Sequence, residues 1–216
     1  MTAALLALAD SRLPAGGHTH SGGVEQAITA GVVHDPRTLE TFLRRRLSTA
    51  GRVAAGLAAA SCRAVLTGEE STLTTWDAEA EARTPSPALQ QASRQQGRGL
   101  VRVGRRAWPH PAWDALPDRP HHPVALGVAA AAGGLTARDA AAAAAYLSIT
   151  GPATAAQRLL AMDPITVATV TARLSPDVDV VASTAQPDPW LPADTDPLLD
   201  LLAEVHASRK DRFFAS

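Results

Sequence analysis

Dipeptides that start helices recur along this chain, and they constrain its fold more than any other feature. In each one, a residue that caps or begins a helix is followed by proline. Proline fits the first helical turn because its missing N–H is not needed there. The dipeptides are Asp35-Pro36, Ser86-Pro87, His122-Pro123, Asp163-Pro164 and Asp196-Pro197. No stretch alternates apolar and polar residues strongly enough to predict a sheet. The sequence therefore predicts an all-α fold.

Apolar periodicity supports the helical assignment. After Asp35, apolar residues recur at spacings of three and four and predict a long amphipathic helix that ends near Leu66. They are Leu39, Leu43, Leu47, Ala50, Ala54 and Leu57. The segment 164–174 is rich in β-branched residues, so a strand competes there, but the helical context favours a helix. We expect one domain over residues 1–216, a bundle of roughly eight to ten helices.

Composition argues against several classes of protein. The net charge is −1, so no global field attracts the chain to nucleic acid or to an anionic membrane. The single Cys62 rules out an internal disulfide and a cysteine-based zinc cluster. The apolar N-terminal run lacks a basic start and does not resemble a secretory signal, and the run 125–132 is too short to span a membrane. We therefore expect a cytoplasmic protein.

A glycine-rich segment, residues 10–25, is the first candidate for binding chemistry. Glycine allows close backbone approach and positive φ, and proline interrupts a helix. The segment therefore predicts a loop between two helices, and loops on rigid scaffolds often carry binding residues. The candidate residues are His18, His20, Ser21, Gly22, Gly23 and Glu25.

Two chemical interpretations of this loop stay open. His18 and His20 form an H-x-H pair, which on an extended strand places both rings on one side, as metal-dependent hydrolases require. The simpler interpretation makes both of them polar loop residues that bond to backbone, because a two-histidine signal is weak. Ser21 is more simply the cap of the helix that carries Glu25, and glycine amides at such a helix start attract anions.

The segment 92–106 is the second candidate, because it lies in a predicted helix yet contains Gly97 and Gly99. Each glycine costs about 1 kcal/mol relative to alanine inside a helix, which suggests that another backbone packs closely there. Polar and basic residues follow this helix: Arg94, Gln95, Arg98, Arg102, Arg105 and Arg106. They predict either a binding face for acidic or phosphorylated groups or a solvated face with carboxylate partners in the same chain.

The C-terminal segment, near residues 209–216, is the third candidate. Charged residues stand beside two phenylalanines: Arg209, Lys210, Arg212, Phe213 and Phe214. The pattern favours a tail that docks on a partner, because chain ends are poorly ordered unless something holds them. The alternative is a helix end that folds back on the core.

Several segments together resemble the urease accessory protein UreF family. They are LLALADSRLPAGG at 5–17, HSGGVE at 20–25, SRQQGR at 93–98, HPVALG at 122–127 and GPATAAQRLL at 151–160. These segments occur in the order found in the family and nearly span the chain. One departure is His18, where many members have an aromatic residue.

The resemblance implies an all-α protein without catalytic activity of its own. Members form a complex with UreD, called UreH in some systems, and with the GTPase UreG, and this complex delivers nickel to urease apoprotein. The resemblance implies a homodimer in the complex, nickel as transient cargo, and no tightly bound metal or other cofactor. It also implies that His20, Ser21 and Glu25 border a nickel passage or the GTPase contact, that Arg94 and Arg98 order a shared surface, and that the C-terminal tail docks on UreD.

Two other functions compete with this expectation. One is an H-x-H metal-dependent hydrolase that uses His18 and His20, although the chain has too few strands for the barrel that such enzymes usually need. The other is a helical nucleic-acid adaptor that uses the arginines between Arg94 and Arg106, which the lack of net positive charge disfavours.

Overall fold

The computed structural model describes residues 3–10, 13–15, 17–185 and 191–216, with the His18 side chain outside this set. The described residues form helices and contain no strand, which confirms the predicted all-α class. The helices are α1 (Ala3–Ala9), α2 (Val24–Thr29), α3 (Pro36–Arg46), α4 (Arg52–Leu66), α5 (Leu73–Ala82), α6 (Pro87–Ala107), α7 (His122–Ala132), α8 (Ala137–Leu159), α9 (Pro164–Arg173), α10 (Ser175–Thr184) and α11 (Pro197–Ser208).

The predicted helix starts are confirmed. The Asp35 carboxylate accepts a hydrogen bond from the Thr38 backbone N–H at 2.7 Å, and the Ser86 hydroxyl accepts one from Leu89 N–H at 3.2 Å. Asp163 caps α9 through Thr166 N–H at 2.9 Å. This cap places the β-branched segment in a helix, so the competing strand is not formed.

The long helix predicted after Asp35 contains a break in register. A π-helical turn, Leu47–Gly51, joins α3 to α4. Such a turn adds a residue to the usual repeat. Ala50, expected on the buried stripe, is therefore exposed, while Gly51 beside it is buried. The expectation for Ala50 was wrong because periodicity assumes an unbroken α-helix.

Helices α4, α7 and α8 form the centre of the bundle. Nearly every residue of α4 from Ala55 to Val65 is buried, and many of them are alanine. Gly127 of α7 lies against the Ala58 carbonyl of α4, because a Cβ at Gly127 would come 2.5 Å from that oxygen. Small residues thus let the central helices approach closely. Within the described part of the chain, no helix is both long enough and apolar enough to cross a membrane.

Helix α6 positions the glycine-rich loop and the segment before α7. A Cβ at Gly99 would lie well under 3.0 Å from the Ala15 carbonyl oxygen, and one at Gly97 would lie equally close to the Pro120 carbonyl. Real Cβ contacts are essentially never so short. The close backbone approach expected at both glycines is therefore confirmed, and it fixes the loop against the bundle.

Candidate functional site

The glycine-rich loop and the C-terminal segment are paired with each other. Ala215 N–H donates to the Thr19 carbonyl at 2.7 Å, and Ser21 N–H donates to the Ser216 carbonyl. The His20 ring nitrogen Nδ1 is 2.6 Å from Ser216 Oγ. Two chain segments almost 200 residues apart in sequence therefore form one surface.

Glu25 is the anchor of this pairing. Its carboxylate is 3% exposed and accepts hydrogen bonds from Phe213 N–H at 2.8 Å and from Phe214 N–H at 3.0 Å. It also lies 2.9 Å from His206 Nε2. Burial by itself raises the pKa of Glu25, but the hydrogen bonds from Phe213, His206 and Phe214 together hold that pKa below its ordinary value. Glu25 therefore stays ionised and holds the C-terminal segment.

The C-terminal segment folds back along its backbone but points several side chains outward. Arg209 donates to Gln26 Oε1 at 3.0 Å and to the Thr29 hydroxyl at 2.8 Å. Phe213 is 86% exposed, while Phe214 is half-buried. Lys210 and Arg212 are exposed as well. The backbone thus matches the folded-back alternative, and docking of the outward side chains on a partner stays a prediction.

Arg94 has carboxylate partners within the chain. Its guanidinium pairs with Asp77 at 3.1 Å and with Glu81 at 2.6 Å. Glu81 also lies 2.6 Å from His121 Nε2, and Asp77 accepts His121 N–H at 2.6 Å. This network joins α5, α6 and the start of α7. Arg94 therefore matches the alternative in which the arginines of α6 pair with carboxylates of the same chain. Its role at a surface shared with a partner stays a prediction.

Other polar residues of α6 remain at the surface. Gln95, Arg98, Arg102 and Arg106 are exposed, whereas Arg105 pairs with Asp114 at 2.6 Å. Arg98, Arg102 and Arg106 make no ion pair with any residue in the described ranges. They follow one another at intervals of four, so they lie on one face of the helix. The predicted basic surface is therefore restricted to these three arginines.

A cavity of about 260 Å³ lies where the segments of the family resemblance meet. The loop, α3, α6, α7 and α8 each contribute to its wall. A second cavity of about 180 Å³ adjoins it and shares Gly22, Arg46, Gln96 and His122 as lining residues. Gly22 has φ +61°, a left-handed conformation that favours glycine. The sequence segments thus surround one interior space, although they lie far apart along the chain.

Only His20 of the H-x-H pair has a described side chain. The His18 side chain is outside the described set, and no group of three or more His, Cys, Asp or Glu residues among the described residues is arranged to hold a metal ion. His20 is buried and bonded to Ser216. Across the cavity, burial and the nearby His20 lower the pKa of His122 to about 4, so its ring is neutral at pH 7.

Two residues of this site were missed by sequence reasoning. Arg46 was not among the candidate residues, yet it lines both cavities, and its Nε–H donates to the Ser148 carbonyl at 2.9 Å. His206 was not singled out, yet it is 2% exposed and bonded to Glu25. A histidine within an apolar helix face was the available signal for His206, whereas nothing local marked Arg46.

Comparison with known proteins assigns the chain to a family. The UreF family model matches residues 33–175. "Urease accessory protein UreF" of Mycolicibacterium vanbaalenii is 52% identical over 217 aligned positions, which cover 99% of this chain and 98% of that protein. The protein of the same name from Mycobacterium tuberculosis is 47% identical over 214 positions, with 99% and 98% covered. The chain therefore belongs to the UreF family of urease accessory proteins, and the resemblance seen in its sequence is confirmed.

Proposed function

We propose that this protein is a non-catalytic adaptor that bridges UreD (UreH) and the GTPase UreG during nickel insertion into urease apoprotein. Nickel is transient cargo of the complex, and the protein has no resident cofactor. The observation that carries the proposal is similarity over nearly the whole chain to proteins named urease accessory protein UreF. Homodimer formation in the complex and action in the cytoplasm belong to the same proposal.

The paired loop and C-terminal segment support an adaptor role. Glu25 and His20 hold residues 213–216 against the bundle, so the exposed Phe213 projects from a fixed backbone. Aromatic and arginine side chains are enriched at contact sites between proteins. Phe213, with Lys210 and Arg212 nearby in sequence, is therefore the proposed contact for UreD.

The charge of the cavity bears on where nickel travels. Arg46 lines both cavities and makes no ion pair within the described part of the chain. A positive charge at the wall of a cavity repels a divalent cation. We therefore assign the loop residues His20, Ser21, Gly22 and Gly23 to partner binding rather than to a nickel passage through this cavity.

Co-purification of the full chain with UreD and UreG tests the proposed contact. We expect Phe213→Ala to reduce recovery of UreD by at least tenfold, because an exposed aromatic anchor of an interface contributes roughly 2 kcal/mol or more. Leu201→Ala is the matched control, since Leu201 is also apolar and 64% exposed on α11. Equal recovery of UreD with both variants would contradict the assignment of the tail.

A further inference from the structure

Three consecutive arginines at the end of α3 have different environments. Arg44 pairs with Asp177, and Arg45 pairs with Asp196. Arg46 has no carboxylate within ion-pair distance among the described residues, and its Nε–H donates a hydrogen bond to the Ser148 carbonyl. The two terminal nitrogens of Arg46 are therefore left without a carboxylate partner.

The Arg46 side chain points into the interior of the site. A Cβ on Gly22 would lie 3.4 Å from Arg46 Cζ and 3.4 Å from its Nη2, so the guanidinium sits beneath the loop. Burial lowers the pKa of Arg46 to about 10, which leaves the group charged at neutral pH. Arg46 is half-buried, and a partly buried charge without a carboxylate partner is unfavourable. This arrangement calls for an anion that the chain itself does not supply.

The groups that share the junction of the two cavities with Arg46 are neutral. Gln96 offers an amide N–H, and His122 carries a neutral ring with one N–H at pH 7. Both line the two cavities together with Arg46. Arg158 adds a second positive charge to the wall of the larger cavity. Asp10 is the acidic residue in the described part of that wall. The wall around Arg46 can therefore donate several hydrogen bonds to an anion.

We propose that the cavity beside Arg46, with Gln96 and His122, binds a small singly charged oxyanion such as a carboxylate or hydrogencarbonate. The volume of about 260 Å³ corresponds to roughly nine water molecules at about 30 Å³ each, so such an ion fits together with several waters. A guanidinium presents parallel N–H groups that match two oxygens of one ion. Arg46 and Arg158 supply two positive charges and Asp10 supplies one negative charge, so the described wall of the larger cavity has a net charge of +1 (2 − 1). This wall balances one negative charge, and a doubly charged ion would stay partly uncompensated. This inference does not depend on the proposed adaptor role.

Titration calorimetry of the full chain with sodium formate, acetate and hydrogencarbonate tests the site, at constant ionic strength. We expect saturable binding to one site for at least one of these ions. Arg46→Met should weaken this binding at least tenfold, while Arg98→Met, which removes an exposed arginine without an ion pair, should leave it unchanged. The absence of saturable binding by all three ions, or equal affinity in wild type and Arg46→Met, would overturn the proposal.

Two further measurements separate the site from unspecific effects. Arg46→Lys keeps the positive charge but loses the parallel N–H groups of the guanidinium, and Gln96→Leu removes a hydrogen-bond donor. Each variant should weaken binding at least threefold, while its circular dichroism spectrum shows an intact fold. Formate affinity should be constant between about pH 7.5 and pH 8.5, above the ordinary range of histidine titration, because Arg46 stays charged and His122 stays neutral there. The other titratable groups of the larger cavity's described wall are His20, Asp10 and Arg158. Phosphate that binds as tightly as formate, or formate affinity that changes between about pH 7.5 and pH 8.5, would contradict the proposal.

Discussion

At the scale of single residues, Glu25 shows how a site can depend on one buried carboxylate. Its oxygens accept the backbone N–H groups of Phe213 and Phe214 and face His206. Each of these donors stabilises the ionised form more than the neutral form. The attachment of the C-terminal segment is therefore coupled to the charge of Glu25.

This coupling predicts a pH dependence. Because the folded pKa of Glu25 lies below its ordinary value of 4.5, its ionisation contributes stability that is fully present above pH 4.5 and is lost as the pH falls through the folded pKa. We expect Glu25→Gln to lower the free energy of unfolding by about 2 kcal/mol at pH 7, since hydrogen bonds to a charged group are involved. The difference from wild type should shrink in acid.

Urea unfolding from pH 7 to pH 3 measures this difference. Glu69→Gln is the control, because Glu69 is an exposed carboxylate and its replacement reports the effect of removing any surface charge. If the free energies of unfolding of wild type and Glu25→Gln differ by the same amount across this range, the charge of Glu25 does not hold the C-terminal segment.

The neighbouring arginines of α3 provide a second prediction at this scale. Arg45→Met leaves Asp196 buried without its partner and should destabilise the protein by about 2 kcal/mol. Arg46→Met removes a charge that has no carboxylate partner in the described ranges, and we expect it to raise the free energy of unfolding by about 1 kcal/mol, as at functional sites that sacrifice stability. Chemical denaturation of both variants checks the opposite signs, and equal destabilisation by the two would contradict this account of Arg46.

At the scale of elements, α6 is the scaffold against which the loop is placed. Gly97 and Gly99 allow the Pro120 and Ala15 carbonyls to approach its backbone. Arg94 then ties α6 to α5 through Asp77 and Glu81. A helix that contains two unfavourable glycines is retained because these contacts require them.

Alanine substitutions test this role of the glycines. In an isolated helix Gly99→Ala would be favourable by about 1 kcal/mol, but here the new Cβ would collide with the Ala15 backbone. We expect Gly99→Ala to lower the free energy of unfolding by about 2 kcal/mol through overpacking. Gly151→Ala in α8 is the matched control, because nothing lies within 4 Å of its Cβ position, and it should be neutral or stabilising. Stabilisation by Gly99→Ala would contradict the close contact.

The contrast between what the sequence predicted and what it missed is also clearest at the scale of elements. Caps such as Asp35 and Asp163 are local signals, because capping residue and first turn are adjacent in sequence, and they predicted the helix starts correctly. The π-helical turn 47–51 has no comparable local signal, and it shifted Ala50 to the surface. The short helix α10 was likewise not predicted.

The candidate site was predicted only in part, for the same physical reason. Residues 10–25 were recognised because glycine and proline act locally on the backbone. The pairing of Glu25 with His206 spans 181 positions, and no periodicity or spacing relates residues so distant. The environment of Arg46 depends on how the loop, α6, α7 and α8 pack around the end of α3, so it became visible only in the fold.

At the scale of the whole molecule, the bundle presents its distinctive features at one place. Gly22 of the loop lines both cavities. In the C-terminal segment, Phe214 lines the larger cavity and Ser216 lines the smaller one. The Ser216 carbonyl also accepts a hydrogen bond from Ser21 N–H of the loop. The sequence segments that carry the resemblance to the UreF family surround this place. We therefore propose that the rest of the bundle holds this place in position for partners.

The size of the complex recovered from cells that produce UreD, UreG and this chain is the most direct test of the adaptor role. We predict a single species that contains all three proteins. When this chain is omitted, UreD and UreG should elute separately. Association of UreD with UreG to the same extent without this chain, or elution of this chain alone, would contradict the account.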